Sequence, residues 1–203
     1  MKIKLHKNDL PNSLKLGNTI AIDTEAMGLN HQRDRLCLVQ LSNGKDTCHL
    51  VQINNIKNKP KNLIALLQNK KILKIFHFAR FDVGILKHTY GINIQNIYCT
   101  KIASKLTRTF ADKHGYKDLC EELLGIQILK KEQTSDWGSD KLTHNQQQYA
   151  ATDVLYLHKI REKLNSMLVR ENRINIAKAC FDFIEHRTNL DLMGWDDLDI
   201  FRH

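Results

Sequence analysis

The sequence has little material for flexible linkers, with two prolines and nine glycines among its 203 residues. It also lacks internal repeats, low-complexity tracts and any apolar run long enough to cross a membrane. The first residues, Met1 to His6, are too polar for a secretory signal. A hydrophobic content of 42% is enough for a sizeable core. We therefore expect one compact cytoplasmic domain without membrane association.

Paired cysteines and clustered zinc ligands are also missing. The five cysteines occur singly, with no CxxC pair, and the ten histidines are spread along the chain. This distribution argues against a disulfide-stabilised fold and against a His-rich zinc site. Several cysteines lie in apolar stretches, where a free thiol serves as a small core residue. We expect all five to be reduced: Cys37, Cys48, Cys99, Cys120 and Cys180.

Acidic residues are outnumbered by basic ones. The chain has 22 Asp and Glu against 31 Lys and Arg, which gives a net charge of +9 and a pI near 9.3. This excess favours a polyanionic partner, because lysine and arginine neutralise phosphates and release counterions. Lys101, Lys105 and Arg108, at i, i+4 and i+7, would form one basic stripe on a helix. The alternative is a solvated helix face that binds nothing.

The apolar pattern alternates between strand and helix periods. Strands are predicted near residues 19–24, 35–42, 46–52, 72–77 and 95–99. Helices are predicted near residues 60–69, 80–89, 100–107, 115–124, 143–168 and 170–187. Three successive strands, with a hairpin signal at residues 42–45, imply an antiparallel portion, and later strands separated by helices imply a parallel one. The prediction is an α/β domain with a mixed sheet flanked by helices.

Two carboxylates close the first predicted strand, in Ile22-Asp23-Thr24-Glu25. Residues two apart in a strand face the same side, so Asp23 and Glu25 should point together at its exit. Carboxylates this close repel each other unless a cation, a proton or a basic side chain lies between them. By itself the pattern does not define a metal site, since Asp-x-Glu occurs by chance in many proteins.

Two further acids follow other predicted elements. Asp82 lies near the start of the helix after the fourth strand, where the helix dipole favours a carboxylate. The alternative there is a simple helix-start aspartate. Thr143 and Gln146 form a capping-box signature, and Tyr149 and Asp153 project from one face of the helix that begins there. These residues complete a candidate site of four acids and one tyrosine.

The three segments resemble the motifs of the DEDD exonuclease superfamily in its tyrosine variant, which includes ribonuclease D. Ile22 through Glu25 resembles the first motif, His77 through Asp82 the second, and Tyr149 through Asp153 the third. Ser135-Asp136-Trp137 is also similar to ribonuclease D. Residues 33–37, 76–78, 99–109 and 190–195 are similar to the nanoRNase C group of alphaproteobacteria, which are small single-domain relatives. The resemblance implies a ribonuclease H-like fold and 3′–5′ exoribonuclease activity on oligoribonucleotides as short as dinucleotides.

The resemblance also implies roles for the candidate site. Asp23 would bridge two divalent cations, Mg²⁺ or Mn²⁺, which prefer carboxylate oxygens. Glu25 and Asp153 would hold the cation that carries the attacking water, and Asp82 would support the other. Tyr149 would orient that water, because an ordinary pKa near 10 disfavours a general base at neutral pH.

Seven side chains are candidates for substrate contacts. In the exonucleases that the chain resembles, an apolar residue at the place of Leu29 wedges between the last two bases, and Met27 would extend this platform. Phe81 is a candidate for stacking on a base, and His77 for touching a phosphate or the 3′ end. For the three apolar residues the alternative is packing against the core. The basic candidates are Lys101, Arg108 and His114, and of these Arg108 and His114 would grip the 5′ side of the substrate.

Residues 189–203 differ from the domain formed by residues 1–188, because acidic and apolar residues alternate there. A solvated disordered tail seldom contains tryptophan and phenylalanine. We therefore expect this segment to dock on its own domain or on a neighbouring subunit. The resemblance implies a ring-like homo-oligomer, an octamer, and head-to-tail docking would suit such closed symmetry.

Two other functions stay open. The expected partner is short single-stranded RNA. DNA or longer structured RNA is the alternative substrate, because an exonuclease that trims these would use the same site. A nucleic-acid-binding module with an inactive site is the second alternative. It is disfavoured because the chain has all five residues of the acid-and-tyrosine set.

Overall fold

A six-stranded mixed sheet forms the centre of the computed structural model, which describes residues 2–45, 47–128 and 135–203. The strands are β1 (Lys2–Lys7), β2 (Thr19–Ala26), β3 (Leu36–Ser42), β4 (Thr47–Gln52), β5 (Leu73–Phe76) and β6 (Ile97–Cys99). Their order is β1-β4-β3-β2-β5-β6. β3 runs antiparallel to β2 and β4, whereas the other neighbouring pairs are parallel. This confirms the mixed sheet predicted from the sequence.

Seven α-helices in the described residues flank the sheet. They are α1 (Lys61–Gln68), α2 (Ala79–Tyr90), α3 (Thr100–Thr107), α4 (Tyr116–Leu124), α5 (His144–Leu155), α6 (Leu157–Arg170) and α7 (Ile174–Leu190), followed by a π-helical turn at Asp191–Trp195. One cluster of buried apolar side chains joins strands and helices into a single domain. Within the described ranges, no helix combines the length and the apolar content needed to span a membrane.

The first strand, β1, is missing from the sequence-based prediction. Its Lys-Ile-Lys-Leu pattern has the period of a strand, but the strand lies at the sheet edge and its Leu5 side chain is 37% exposed. It pairs with β4 from Lys2↔Thr47 to Lys7↔Gln52. An edge strand is held by hydrogen bonds along one side and needs no buried face, so its apolar signal is weak. Residue 46, where the third predicted strand starts, lies outside the described residues.

The single helix predicted over residues 143–168 is wrong, because the structure divides it into α5 and α6 at Tyr156. Tyr156 has φ −103° and ψ −1°, which departs from helical geometry. The Tyr116 hydroxyl lies at the break. It donates a hydrogen bond to the Thr152 carbonyl at 2.6 Å and accepts one from the Tyr156 N–H at 3.2 Å. A side chain inserted into the hydrogen-bond ladder is a recognised cause of a helix kink.

The C-terminal segment docks on its own domain, against α2 and the loop after β2. Buried Asp191 accepts hydrogen bonds from Arg80 Nε and Nη2, both at 2.7 Å, and Arg80 also donates to the Asp196 carbonyl at 2.6 Å. Gln32 Nε2 donates to the Leu192 carbonyl at 3.0 Å. These contacts are polar, and several apolar side chains of the segment stay exposed: Met193, Trp195, Leu198, Ile200 and Phe201.

Candidate active site

The end of β2 presents Asp23 and Glu25 to the candidate site. Asp23 lies opposite Gln40 of β3, and Gln40 Nε2 donates a hydrogen bond of 3.3 Å to Asp23 Oδ2. The β2–β3 register shifts between Glu25 and Ala26. A shift of this kind bends a strand and redirects its side chains, and it is common beside active sites. The regular pairing of β2 with β3 therefore orients Asp23, and the register shift comes directly after Glu25.

Helix α5 supplies Tyr149 and Asp153, and its start follows the capping box expected from the sequence. The Gln146 N–H donates to Thr143 Oγ1 at 3.2 Å, and the Thr143 N–H donates to Gln146 Oε1 at 2.8 Å. The helix packs against β2, β3 and β4, which brings its acid to the end of β2. Trp137 lies beside the helix, with its ring centroid 6.1 Å from that of Tyr149.

Three half-buried carboxylates from these two elements converge. One oxygen from each of Asp23, Glu25 and Asp153 lies within 4.8 Å of the other two. A donor set made only of oxygens suits a hard divalent cation such as Mg²⁺ or Mn²⁺ and lacks the sulfur and nitrogen ligands of most zinc sites. The residues present therefore fit the cations that the sequence predicts.

Asp82 lies beside this cluster. It is in the first turn of α2, is 3% exposed, and its Oδ1 accepts a hydrogen bond of 2.7 Å from Thr24 Oγ1. The turn into α2 is sharp, because Phe78 adopts a left-handed conformation with φ 64° and its carbonyl accepts from the Phe81 N–H at 3.0 Å. The fourth acid therefore lies next to the cluster on the side of Thr24, although it is neither among the three converging carboxylates nor among the described residues that line the cavity.

The surroundings raise the pKa values of three of the acids, Asp23, Glu25 and Asp82. Burial raises the pKa of Glu25 to about 10, and the charges of Asp23, Asp153 and Asp82 add to this shift. Burial raises the pKa of Asp23 to about 7, although a hydrogen bond from the Thr24 backbone acts in the opposite direction and lowers it. The pKa of Asp82 is well above its ordinary value because of burial and the charge of Asp23. Without a cation the cluster keeps protons at neutral pH, and a bound cation would displace them.

The same environment acts on Tyr149. Burial raises the pKa of its phenol above the ordinary value, and the charges of Asp153, Glu25 and Asp23 raise it further. The phenol therefore stays protonated at neutral pH in the metal-free site. In this form it donates a hydrogen bond and does not accept a proton from water.

A cavity of about 660 Å³ opens at the acids. Its wall includes four predicted substrate contacts: Met27, Leu29, His77 and Phe81. The Leu29 side chain is 85% exposed and that of Met27 is 50% exposed, so neither is packed in the core. Phe81 is half-buried and packs against His31, with ring centroids 4.9 Å apart. The core-packing alternative is therefore wrong for the two aliphatic residues.

Several other residues of the cavity wall were not predicted as site residues, among them Tyr116, Lys117, Ser135 and Trp137. Two of these belong to the segment Ser135-Asp136-Trp137, whose resemblance to ribonuclease D was a usable signal. Lys117 follows the predicted basic stripe in a stretch, residues 101–117, that has five lysines and arginines against one acid. Nothing in the local sequence places Tyr116 beside α5, because only the folded chain brings them together.

Three predicted contacts lie elsewhere. The described residues that line the cavity do not include Lys101, Arg108 or His114. Lys101 Nζ lies 4.1 Å from the centroid of the Phe78 ring, and His114 Nδ1 lies 2.8 Å from Ser104 Oγ. Neither side chain reaches into the cavity wall, so the structure does not support their predicted contacts with a substrate held there.

The exposed basic stripe is wrong at Arg108. This side chain is only 1% exposed. It donates to Ser104 Oγ at 2.9 Å and to the Lys113 carbonyl at 3.0 Å, and it forms an ion pair with Glu122. The physical reason is that α3 ends at Thr107, so helical spacing no longer sets the direction of the next residue. Arg108 thus holds the segment before α4 together, and its buried side chain is not part of an exposed basic stripe.

Comparison with known proteins gives a family for this geometry. A family model described as a 3′-5′ exonuclease matches residues 4–169. Ribonuclease D of Acidiphilium cryptum is 32% identical over 157 residues, which cover 77% of this chain and 39% of that protein. The chain thus spans about two fifths of the length of the curated ribonuclease D relatives that it matches.

A solved structure matches over the whole length. Brucella melitensis NrnC is 50% identical, with a TM-score of 0.96 and complete coverage of both chains. The same protein has been solved with bound Mg²⁺, at 49% identity and a TM-score of 0.95 over both complete chains. It has also been solved bound to pGG, at 50% identity and a TM-score of 0.96, which covers 100% of this chain and 99% of that one. These matches confirm the ribonuclease D-like and nanoRNase C resemblance and the ribonuclease H-like fold.

Proposed function

Because the chain belongs to the 3′-5′ exonuclease family, we propose that it hydrolyses very short RNA from the 3′ end, down to dinucleotides, and releases mononucleotides. The observation that carries this proposal is the cluster of Asp23, Glu25 and Asp153 at the wall of a cavity of about 660 Å³. Sites for small ligands typically have about 300–1,000 Å³. The binding of pGG by the Brucella protein supports a dinucleotide as the occupant.

The proposed reaction uses two divalent cations, Mg²⁺ or Mn²⁺. When bound, they neutralise the charge that develops on the phosphate and lower the pKa of the attacking water. Asp23 would bridge both cations, with Gln40 fixing one of its oxygens. Glu25 and Asp153 would complete one binding position, and Asp82, oriented by Thr24, would complete the other.

Tyr149 is proposed to position the attacking water. Its raised pKa keeps the phenolic proton at neutral pH, so the side chain donates a hydrogen bond and does not act as the general base. It lies one helical turn before Asp153 on the same face of α5. A water held near Asp153 would therefore lie on the same face of α5 as this phenol.

The cavity wall suggests how the substrate would be held. Leu29 and Met27, both exposed, would contact the last bases, and Phe81 would add a stacking surface. His77 is fixed by a contact of 2.9 Å between its Nδ1 and Thr100 Oγ1 and would face a phosphate or the 3′ end. Lys117 replaces the three basic residues expected from the sequence as the proposed cationic contact to a phosphate.

An assay with matched substrates tests the proposal. We expect the purified protein to cleave a 5′-labelled RNA dinucleotide rapidly with Mg²⁺ or Mn²⁺ and not at all with EDTA. A labelled single-stranded RNA of many nucleotides should be cleaved more slowly, because a cavity of this volume favours a short chain. Rates are measured as kcat/KM for each substrate by separating the labelled products on a gel.

Other outcomes of this assay favour other functions. Cleavage of the longer RNA alone would keep the metal-dependent site and contradict the short-substrate proposal. With a DNA dinucleotide added to the substrates, equal rates on the DNA and RNA dinucleotides would favour a general 3′–5′ exonuclease. Binding of RNA without cleavage in any divalent metal would indicate a binding module with an inactive site.

We also propose that the enzyme forms a ring-like homo-oligomer through the apolar side chains of its C-terminal segment. Leu198 and Phe201 are 59% and 78% exposed, and clustered exposed apolar residues mark interaction surfaces. The double variant Leu198→Ser, Phe201→Ser should lower the mass measured by light scattering, whereas Ile56→Ser should not. A wild-type mass near the monomer's 23.6 kDa would contradict the assembly. An unchanged mass of the double variant would contradict the role of the segment.

The cytoplasm is the proposed compartment. The five cysteines are all unpaired, and four of them are buried. Burial raises the pKa of the Cys37 thiol to about 11 and that of Cys48 to about 12, which makes these thiols unreactive. Reduced structural cysteines are typical of proteins from a reducing compartment.

A further inference from the structure

The break between α5 and α6 lies next to a proposed metal ligand, and one side chain from outside these helices fills it. The Tyr116 hydroxyl donates to the Thr152 carbonyl at 2.6 Å and accepts from the Tyr156 N–H at 3.2 Å. In an uninterrupted α-helix these two backbone groups would bond to each other. We propose that Tyr116 is a positioning residue that sets the placement of Asp153, an inference that rests on the proposed function of the site.

The geometry ties this hydroxyl to Asp153 directly. The Thr152 carbonyl belongs to the peptide group whose nitrogen is that of Asp153. A hydrogen bond to this carbonyl therefore fixes the plane from which the Asp153 side chain departs. The second bond of the hydroxyl keeps the Tyr156 N–H away from its usual helical partner, so the helix stays open one turn beyond Asp153.

Tyr116 is itself held firmly. It is the first residue of α4, whose start is fixed by Gly115 and Asp118 through a hydrogen bond of 3.1 Å from the Gly115 N–H to Asp118 Oδ2. Its ring lies 5.9 Å from the ring of His77, at the end of β5, and it lines the same cavity. The Tyr116 side chain thus links α4 to both motifs, with its ring beside His77 of the second motif and its hydroxyl bonded to the backbone around Asp153 of the third. A side chain held in this way is suited to orienting Asp153 as a metal ligand.

Removing the hydroxyl alone isolates its role. In Tyr116→Phe the ring and its packing remain, and the Thr152 carbonyl and Tyr156 N–H become free to bond to each other. The helix would then straighten and move the Asp153 peptide. We expect kcat on the RNA dinucleotide to fall by about 10–100-fold, as is typical when a group that orients a metal ligand is lost. The concentration of Mg²⁺ that gives half-maximal activity should rise by several-fold, and KM for the dinucleotide should change little.

Tyr90→Phe is the matched control. The Tyr90 hydroxyl is also buried, has no hydrogen-bond partner among the described residues, and lies at the far end of α2. Its removal takes away the same atom without touching α5. The control should keep the wild-type kcat and the wild-type requirement for Mg²⁺.

Two measurements separate this inference from a general loss of structure and from a failure of the proposed function. Mn²⁺ affinity, measured by calorimetry without substrate, should be weaker in Tyr116→Phe than in wild type and unchanged in Tyr90→Phe. Amide exchange at Tyr156 should change in Tyr116→Phe while thermal unfolding stays close to wild type.

A Tyr116→Phe protein with wild-type kcat and wild-type Mn²⁺ affinity overturns the inference, as does a fall in kcat with unchanged metal affinity. If the wild type fails to cleave the dinucleotide, the proposed function fails, and the Mn²⁺ affinities still decide the role of Tyr116.

Discussion

Replacing Asp82 with asparagine should lower kcat on an RNA dinucleotide by at least about 1,000-fold, because a bound metal supplies several kcal/mol of transition-state stabilisation. Asparagine keeps the size of the side chain, and its carbonyl can still accept the hydrogen bond from Thr24 Oγ1. Only the negative charge is lost. The measurement is a single-turnover assay at saturating Mg²⁺, with circular dichroism to verify the fold.

Asp182→Asn is the control for this change, because it removes one negative charge from an exposed position on α7. It should leave kcat unchanged. Burial and the charge of Asp23 raise the pKa of Asp82, so the charged carboxylate is disfavoured in the metal-free fold. Its neutral amide replacement should therefore be at least as stable as wild type when EDTA is present. A kcat above a tenth of the wild-type value would show that Asp82 does not hold a metal.

Local periodicity explains why so much of the site could be predicted. Asp23 and Glu25 share a face because side chains alternate along β2, and Tyr149 and Asp153 share a face because they are four residues apart in α5. Both elements carry strong local signals, an apolar run and a capping box. The resemblance to the exonuclease motifs then supplied the roles of these residues, which spacing alone does not give.

The errors lie where contacts distant in sequence decide the structure. Arg108 follows the last residue of α3 and turns inward to Glu122, which helical spacing could not predict. The break at Tyr156 depends on Tyr116, a residue from another helix. The apolar stripe of residues 143–168 has no proline or glycine to mark the kink. The edge strand β1 is held by hydrogen bonds to β4 and is largely exposed, so its sequence carries only a weak apolar signal.

The raised pKa values of the acids predict a second large effect, on stability. A carboxyl group whose pKa is higher in the folded protein than in the unfolded chain keeps its proton only in the folded state between those two values. Stability is then lost as the pH rises through that interval. For Glu25 the interval runs from the ordinary value of 4.5 to about 10. The metal-free protein should therefore become less stable as the pH rises from 7 to 8.

Between pH 7 and pH 8, the groups whose titration would raise stability with rising pH contribute little. Burial lowers the pKa of His49 to about 4, which adds stability with rising pH, but only up to about 6.5. Burial also lowers the pKa of Lys74 to about 8, and its opposite contribution grows above that pH. Between the two, each proton that the folded state retains costs up to about 1.4 kcal/mol per pH unit. For a chain of this length, 1 kcal/mol shifts Tm by about 2–4 °C.

We expect Tm in EDTA to fall by about 3 °C or more from pH 7 to pH 8. Mg²⁺ should reverse the trend, because it binds the deprotonated carboxylates of the folded state. At a hundredfold excess over its dissociation constant it stabilises by about 2.7 kcal/mol. The gain should be larger at pH 8, since fewer protons must then be displaced. Glu25→Gln is the control, because its neutral side chain does not titrate and should flatten the pH dependence while weakening the response to Mg²⁺. A metal-free wild type that is equally stable or more stable at pH 8 would show that the folded site does not raise the pKa values of these acids.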